Sequence, residues 1–265
     1  MLTMDTTNFA GKKALVRVDL NVPQDANGKV TDDSRARAIV RTVNKILSDG
    51  GSAILMSHLG RPKGKVNPAM SLKPVAEHLA VLLGKPVLFA TDCVGADAKA
   101  KAAALKPGEV LVLENLRFHP EEEAGDEAFS KTLSELGDVY VNDAFGTAHR
   151  AHASTTIVAK FFPQDKLFGY LMQGEIDSVG KVLGDPQRPL VAVVGGSKVS
   201  SKLAVLENLI GKCDEVIIGG GMAFTFIKAD GGQVGKSLVE DDQLEVAKAI
   251  LASAMDKGVQ LHLPT

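Results

Sequence analysis

Residues 14–23 read Ala14-Leu15-Val16-Arg17-Val18-Asp19-Leu20-Asn21-Val22-Pro23, an apolar run that turns polar at every second position from Arg17 onward. Period-two alternation puts Arg17, Asp19 and Asn21 on one face and Val16, Val18 and Leu20 on the other. A strand buried on both sides of a parallel sheet should be apolar on both faces, so this polar row requires a partner. A helix-like stretch, Asp33–Ser48, follows, and then a second apolar run, Ala53–Met56. Strand, helix and strand in that order form the repeating unit of a parallel sheet.

The rhythm continues outward from this unit. Val110–Leu113 and Asp138–Val141 are strand-like, as are Leu190–Val194, Glu215–Ile218 and Gly258–Leu263 further on. Helical segments at Leu72–Leu83, Asp126–Leu136 and Met172–Leu183 lie between them, and Ala96–Leu105 has good helix composition. Asp33 or Ser34 is expected to cap the first helix and Ser71 the second. Gly50-Gly51 and Gly84 are natural stops. The sequence predicts an α/β protein, with a Rossmann-like, three-layer parallel-sheet domain over residues 1–170. A second α/β segment with a connecting helix is expected over 171–265. The boundary is expected near Phe162–Gly174, and Asp185-Pro186-Gln187-Arg188-Pro189 reads as a turn-like connector.

Composition narrows the function classes. Of 265 residues, 45% are hydrophobic and 23% charged, which suits a chain that buries a core. A net charge of −2 argues against a general nucleic-acid binder, so any anion site must be local. No apolar stretch is long enough for a membrane span, and the first residues lack the apolar region of a secretory signal. The two cysteines, Cys93 and Cys213, lie in different candidate domains, which fits a reducing cytoplasm better than a disulfide framework. Both read as small buried residues rather than nucleophiles, with no charge pattern beside them. Glu121-Glu122-Glu123 reads as a solvated acidic turn, and His78 as structural.

Ligands of open parallel sheets bind beyond the carboxyl ends of the strands. Asp19 and Asn21 end the first strand, and Ser57-His58-Leu59-Gly60-Arg61-Pro62 follows the second. Glu114-Asn115-Leu116-Arg117-Phe118-His119 follows the third, and Asn142 through His152, with Arg150, follows the fourth. A lone arginine is more often a solvated surface charge. Several strand ends carrying His or Arg converge on one mouth if the strands are neighbours. Arg35, in the first turn of the next helix, opposes the helix dipole, and a bound anion would reverse that penalty. Guanidinium forks hold phosphate and carboxylate bidentately. The residues therefore predict a pocket for a small molecule carrying phosphate and carboxylate, with Asp19 and Asn21 accepting from a hydroxyl.

A second anion site is expected in Leu190-Val191-Ala192-Val193-Val194-Gly195-Gly196-Ser197-Lys198-Val199-Ser200-Ser201-Lys202. It reads as strand, glycine turn and helix, with backbone N–H groups free to meet phosphate. Lys198 and Lys202, four apart, are expected on one helical face, where they repel unless a polyphosphate lies between them. The spacing is neither that of the nucleotide P-loop nor that of the dinucleotide fingerprint. Gly219-Gly220-Gly221, after the following strand, would let a flat ring approach the backbone, as in an adenosine seat.

The segments RVDLNVP (17–23), DDSRARA (32–38), SHLGRPKG (57–64), ENLRFHPEEE (114–123), NDAFGTAHRAHAS (142–154), VVGGSKVSSKL (193–203) and IIGGGMAFTF (217–226) together resemble the phosphoglycerate kinase family, in the family's order and along the whole chain. The resemblance implies glycolytic phosphoryl transfer between 1,3-bisphosphoglycerate and magnesium ADP, giving 3-phosphoglycerate and magnesium ATP. It implies that Asp19, Asn21, Arg35, His58, Arg61, Arg117 and Arg150 hold phosphoglycerate. Lys202 would contact nucleotide phosphates, Gly219, Gly220 and Gly221 would line the adenosine site, and Arg35 and Lys198 would serve catalysis when the domains close. It also implies a cytoplasmic enzyme that is monomeric at full length.

On the family pattern residues 171–265 form an incomplete nucleotide-binding domain. The rest of its sheet, an acidic loop that binds Mg2+, a second glycine loop and a returning tail would all follow Thr265. The expectation is a chain that binds phosphoglycerate with little or no kinase activity alone, and a first domain better ordered than the second. Two other readings stay open. A non-catalytic phosphosugar or carboxylate binding module would not need the second glycine turn. A phosphosugar isomerase or mutase would need a base or nucleophile, and only Asp19 offers itself.

Overall fold

The computed structural model describes residues 2–264. In chain order the first elements are β1 (Lys13–Val18), α1 (Ser34–Ala38), α2 (Val40–Ser48), β2 (Ser52–Met56), α3 (Lys73–Leu83), β3 (Val87–Phe89) and α4 (Ala96–Ala104). There follow β4 (Val110–Val112), α5 (Pro120–Ala124), α6 (Glu127–Ser134), β5 (Val139–Asp143), β6 (Lys166–Phe168) and α7 (Tyr170–Leu183). The last are β7 (Val191–Gly195), α8 (Leu203–Ile210), β8 (Glu215–Gly219), α9 (Met222–Ala229), α10 (Leu244–Asp256) and β9 (Gln260–His262). Two compact units result, Met1–Asp177 and Ser178–Thr265, and the division falls inside α7.

In the first unit six parallel strands run in the order β3-β4-β2-β1-β5-β6. The pattern that looked like one helix over Asp33–Ser48 is interrupted at Ile39, whose backbone stays helical (φ −86°, ψ −11°). Two separate apolar clusters cover the sheet. One gathers Val16, Val18, Val43, Ile46, Leu55, Leu79 and Val141, and the other Leu15, Ile54, Leu111, Leu133, Tyr140 and Phe162. Period-two alternation explains the split, since neighbours such as Leu15 and Val16 face opposite layers. A central strand buried on both faces forces even its polar residue inside: Arg17 is 1% exposed. The helix caps differ from expectation. Asp33 makes no cap bond, because its carboxylate takes Arg37 Nε (2.7 Å) and His78 Nε2 (3.1 Å) instead. The second helix has Leu72 at its cap, and Ser71 Oγ accepts only from Lys73 N–H (3.2 Å) while donating to Glu114 (2.6 Å).

The second unit has one parallel sheet, β7-β8-β9. Val194, Val216 and Ile218 pack with Leu206, Phe226 and Ile250 from α8, α9 and α10. Val193 and Ile217, which point the other way, are 75% and 39% exposed. Among the described residues, no helix is long and apolar enough to cross a membrane.

Candidate functional site

The order β4-β2-β1-β5 makes neighbours of the four strands whose ends carry polar residues. Because all run parallel, their carboxyl ends open on one side. A cavity of about 270 Å3 lies there, lined by Asp19, Asn21, Arg35, His58, Gly60, Arg61, Arg117, Gly146, Thr147 and Arg150. The seven side chains singled out for the first pocket therefore share one wall system. Gly60, Gly146 and Thr147 join them.

Side chains of the loops tie these strand ends together. Asn21 Oδ1 accepts from Gly60 N–H (2.9 Å), and Ser57 Oγ accepts from Leu20 N–H (2.9 Å). Gly60 has φ +64°, a left-handed backbone conformation that favours glycine. Asn115 Oδ1 accepts from Leu59 N–H (3.2 Å) and Arg117 N–H (3.1 Å), and its amide donates to Leu59 O (2.8 Å) and Met70 O (2.9 Å). Arg117 is buried yet reaches Gly60 O (3.0 Å) and Glu123 (3.2 Å). Burial pushes its guanidinium down from its ordinary value, and Glu123 opposes that shift.

Arg35 corrects the dipole expectation. Its Nη1 meets the Asp19 carboxylate at 3.0 Å and Asn21 O at 3.1 Å, so a carboxylate just past the end of β1 already offsets the cation. The Asp19 carboxylate in turn spans Arg35 and Asn21 N–H (3.1 Å). Four guanidiniums, from Arg35, Arg61, Arg117 and Arg150, face one carboxylate, Asp19, giving the lining a net charge of about +3 with neutral imidazole. His58 is held neutral: burial first, then Arg17, Arg117, Arg150 and Arg35, lower its pKa to about 2.

Sequence reasoning placed Arg17 in the polar row without giving it a role. Its Nε donates to Ser154 Oγ (2.8 Å), its Nη1 to Val18 O, and its Nη2 faces His58 Nδ1 at 3.2 Å. Glu122 is also corrected. It is fully buried, not solvated, because α5 turns it inward, where it accepts from Ser154 N–H (2.9 Å) and Ser154 O–H (2.6 Å). A buried arginine whose neighbouring acid in sequence, Asp19, pairs with Arg35 is the signal that a second carboxylate must arrive from elsewhere. Cys93 does have charged neighbours: Asp92 and His119, paired at 2.7 Å, lie beside it, and His119 comes from the loop after β4. Burial still raises its thiol well above the ordinary value, so it is an inert thiol.

In the second unit Lys198 and Lys202 do not share a helical face. Residues 197–202 form bends and turns, Lys202 N–H donates to Val199 O (2.8 Å), and α8 begins only at Leu203. Lys202 reaches the glycine turn nonetheless: a Cβ on Gly196 would lie 3.8 Å from its side-chain carbons. The two glycine turns touch. Gly220 has φ +71°, a Cβ there would stand 2.8 Å from Gly196 O, and Met222 N–H donates to that same oxygen (2.9 Å). Gly221 packs on Ser197, with a Cβ position 3.4 Å from its Cα, and Gly219 pairs with Gly195 across the strands.

Residues 4–265 match the family model described as phosphoglycerate kinase. The chain belongs to the phosphoglycerate kinase family. It is 57% identical over 263 residues to the phosphoglycerate kinase of Chloroherpeton thalassium, covering 99% of this chain and 66% of that protein. With the phosphoglycerate kinase of Synechococcus elongatus it shares 53% identity over 264 residues, covering 65% of that protein. The chain thus spans just under two thirds of the length of these relatives. Among solved structures, phosphoglycerate kinase from Coxiella burnetii aligns with a TM-score of 0.84 at 41% identity, over 99% of this chain and 66% of that one. Phosphoglycerate kinase from Pyrococcus horikoshii aligns with a TM-score of 0.81 at 31% identity, over 100% and 67%.

Proposed function

We propose that this chain carries the phosphoglycerate side, and part of the nucleotide side, of phosphoryl transfer between 1,3-bisphosphoglycerate and ADP. The observation that carries the reading is the single cavity in which four guanidiniums, a neutral imidazole and one carboxylate meet. Its charge of about +3 matches a ligand bearing a phosphate, at about −2, and a carboxylate. 3-Phosphoglycerate is such a ligand, and family membership favours it over other phosphosugars. Asp19 and Asn21 would accept from its hydroxyl, while Arg61, Arg117 and Arg150 would clamp its anionic ends. Arg35 would then exchange part of its pairing with Asp19 for the transferring group.

Phosphoryl transfer asks a protein for positioning and charge neutralisation rather than covalent chemistry. Arg35 and Lys198 would neutralise the equatorial oxygens, and Lys202 the nucleotide phosphates, with Gly219, Gly220 and Gly221 opening the backbone to the adenosine. Mg2+ would come with ADP or ATP and supply further charge neutralisation for the transferring group. Glu240, whose carboxylate feels the charge of Lys198, accepts from Ser200 O–H (2.7 Å), and no residue of this chain is assigned to the ion.

Calorimetry of the chain with 3-phosphoglycerate, with and without ADP, tests the reading, beside a coupled kinase assay. Binding that is lost in R61A and R150A supports it. Binding of unrelated sugar phosphates with equal affinity would sink it in favour of a non-catalytic binding module.

A further inference from the structure

We infer that Arg17 is a positioning residue for the cavity: it fixes His58 in the tautomer with its proton on Nε2, so that the ring offers an oxyanion a donor and never a lone pair. The inference rests on reading this cavity as the phosphoglycerate site. It starts from one contact, the 3.2 Å approach of Arg17 Nη2 to His58 Nδ1. A guanidinium has donors only and stays protonated in proteins. The ring nitrogen it faces must therefore be the acceptor. A neutral imidazole carries a single N–H, so that proton sits on Nε2. His58 lines the cavity, where the remaining nitrogen is the one available to a ligand.

The contact is held by a chain of bonds whose direction is set at both ends. Glu122 can only accept, so Ser154 must donate its hydroxyl proton to it (2.6 Å). The lone pairs of Ser154 Oγ are then left for Arg17 Nε–H (2.8 Å). Arg17 is also held from the other side, because Val18 O takes its Nη1 and the side chain is buried. Tyr140, which packs in the same region, gives its hydroxyl to Ser154 O (2.9 Å) and does not compete. Glu122, Ser154, Arg17 and His58 thus form one relay in which no proton has a choice of position.

The charges around the ring support the same state. Arg35, Arg117 and Arg150 face it together with Arg17, and all disfavour an imidazolium. A fifth cation would overfill a lining already near +3, whereas a neutral donor adds a hydrogen bond without adding charge. An imidazole in the opposite tautomer would turn a lone pair toward a phosphate or carboxylate oxygen and repel it.

Long-range 1H–15N correlation spectra of the full chain, labelled at histidine, read the tautomer directly at neutral pH. The expected result is a pyridine-like Nδ1 and a pyrrole-like Nε2 for His58. A protonated Nδ1, or an even mixture, overturns the inference without reference to any variant. R17M should let the ring sample both tautomers and weaken 3-phosphoglycerate binding about tenfold, the effect of one charge-assisted hydrogen bond. R17K, which restores a donor-only cation, should recover the Nε2–H state. A ring that stays in the Nε2–H state in folded R17M would also overturn it. If the wild-type tautomer is as stated and 3-phosphoglycerate does not bind, the positioning stands and the assignment of the ligand falls.

Discussion

Replacing Glu122 by glutamine removes one charge and keeps the side chain's shape, so its effect isolates what that carboxylate does for Arg17. Burial lowers the Arg17 guanidinium, and Glu122 is the first of the groups that oppose the shift. Hydrogen bonds of 2.6 and 2.8 Å meet at Ser154 Oγ, so Glu122 Oε1 lies within about 5.4 Å of Arg17 Nε. At an effective dielectric of about 20, unit charges at that separation attract by about 3 kcal/mol. Glu122→Gln should therefore destabilise the first unit by about 3 kcal/mol, in line with other buried pairs broken on one side. The chain has no tryptophan, and its two tyrosines, Tyr140 and Tyr170, both belong to the first unit, so tyrosine emission reports that unit selectively. With a urea slope of about 2 kcal/mol per molar, the midpoint should fall by about 1.5 M. The double variant R17M/E122Q should cost less than the sum of the two, because each single change strands its partner. A midpoint shift below about 0.3 M for E122Q would refute the argument, since a carboxylate that balanced a buried guanidinium could not be neutralised so cheaply.

The neutral state of His58 predicts a pH effect: an unfolded imidazole binds a proton below about 6.5 that the folded ring refuses until about 2, so stability falls as pH drops through that window. H58Q should remove up to about 1.4 kcal/mol per pH unit of that slope between pH 6 and 4.5, and an unchanged slope in denaturant titrations would count against it. In the second unit, Gly220→Ala places a Cβ 2.8 Å from Gly196 O at φ +71°, which should cost about 1–3 kcal/mol and speed amide exchange in β7, β8 and α9. Asp97, held to about 2 chiefly by its hydrogen bond from Lys101, should titrate closer to the ordinary carboxylate value in K101M, and a carbon-detected NMR titration that shows no rise would contradict that cause.

The frame of the first unit was legible because β1, β2, β4 and β5 carry apolar runs between clear turn residues. Their polar ends marked the cavity, since Asp19, His58, Arg117 and Arg150 stand where parallel strands open. β3 and β6 were not legible: both are short edge strands with partly exposed residues, lacking the fully buried apolar run that marks β4, and pairing with an established neighbour decides them. The roles of Arg17 and Glu122 were hidden for a different reason. Each needs the other, and the link runs through Ser154, far from both in sequence. Lys198 and Lys202 were placed on a helix that starts later than its composition suggests, because the segment closes a turn from Val199 to Lys202 first. What links Lys202 to a glycine turn is side-chain reach, which spacing alone does not encode.

Asn115 has a consequence for how this cavity can change over time. Its amide uses both acceptor positions and both donor hydrogens, on Leu59, Met70 and Arg117. The loops after β2 and β4, and the segment leading into α3, are thereby spliced through one side chain. A change of length or direction in any one loop strands polar groups in the other two. New ligand specificities should therefore arise by exchanging residues at the tips, such as Arg61, while the spliced backbone is inherited as a single piece.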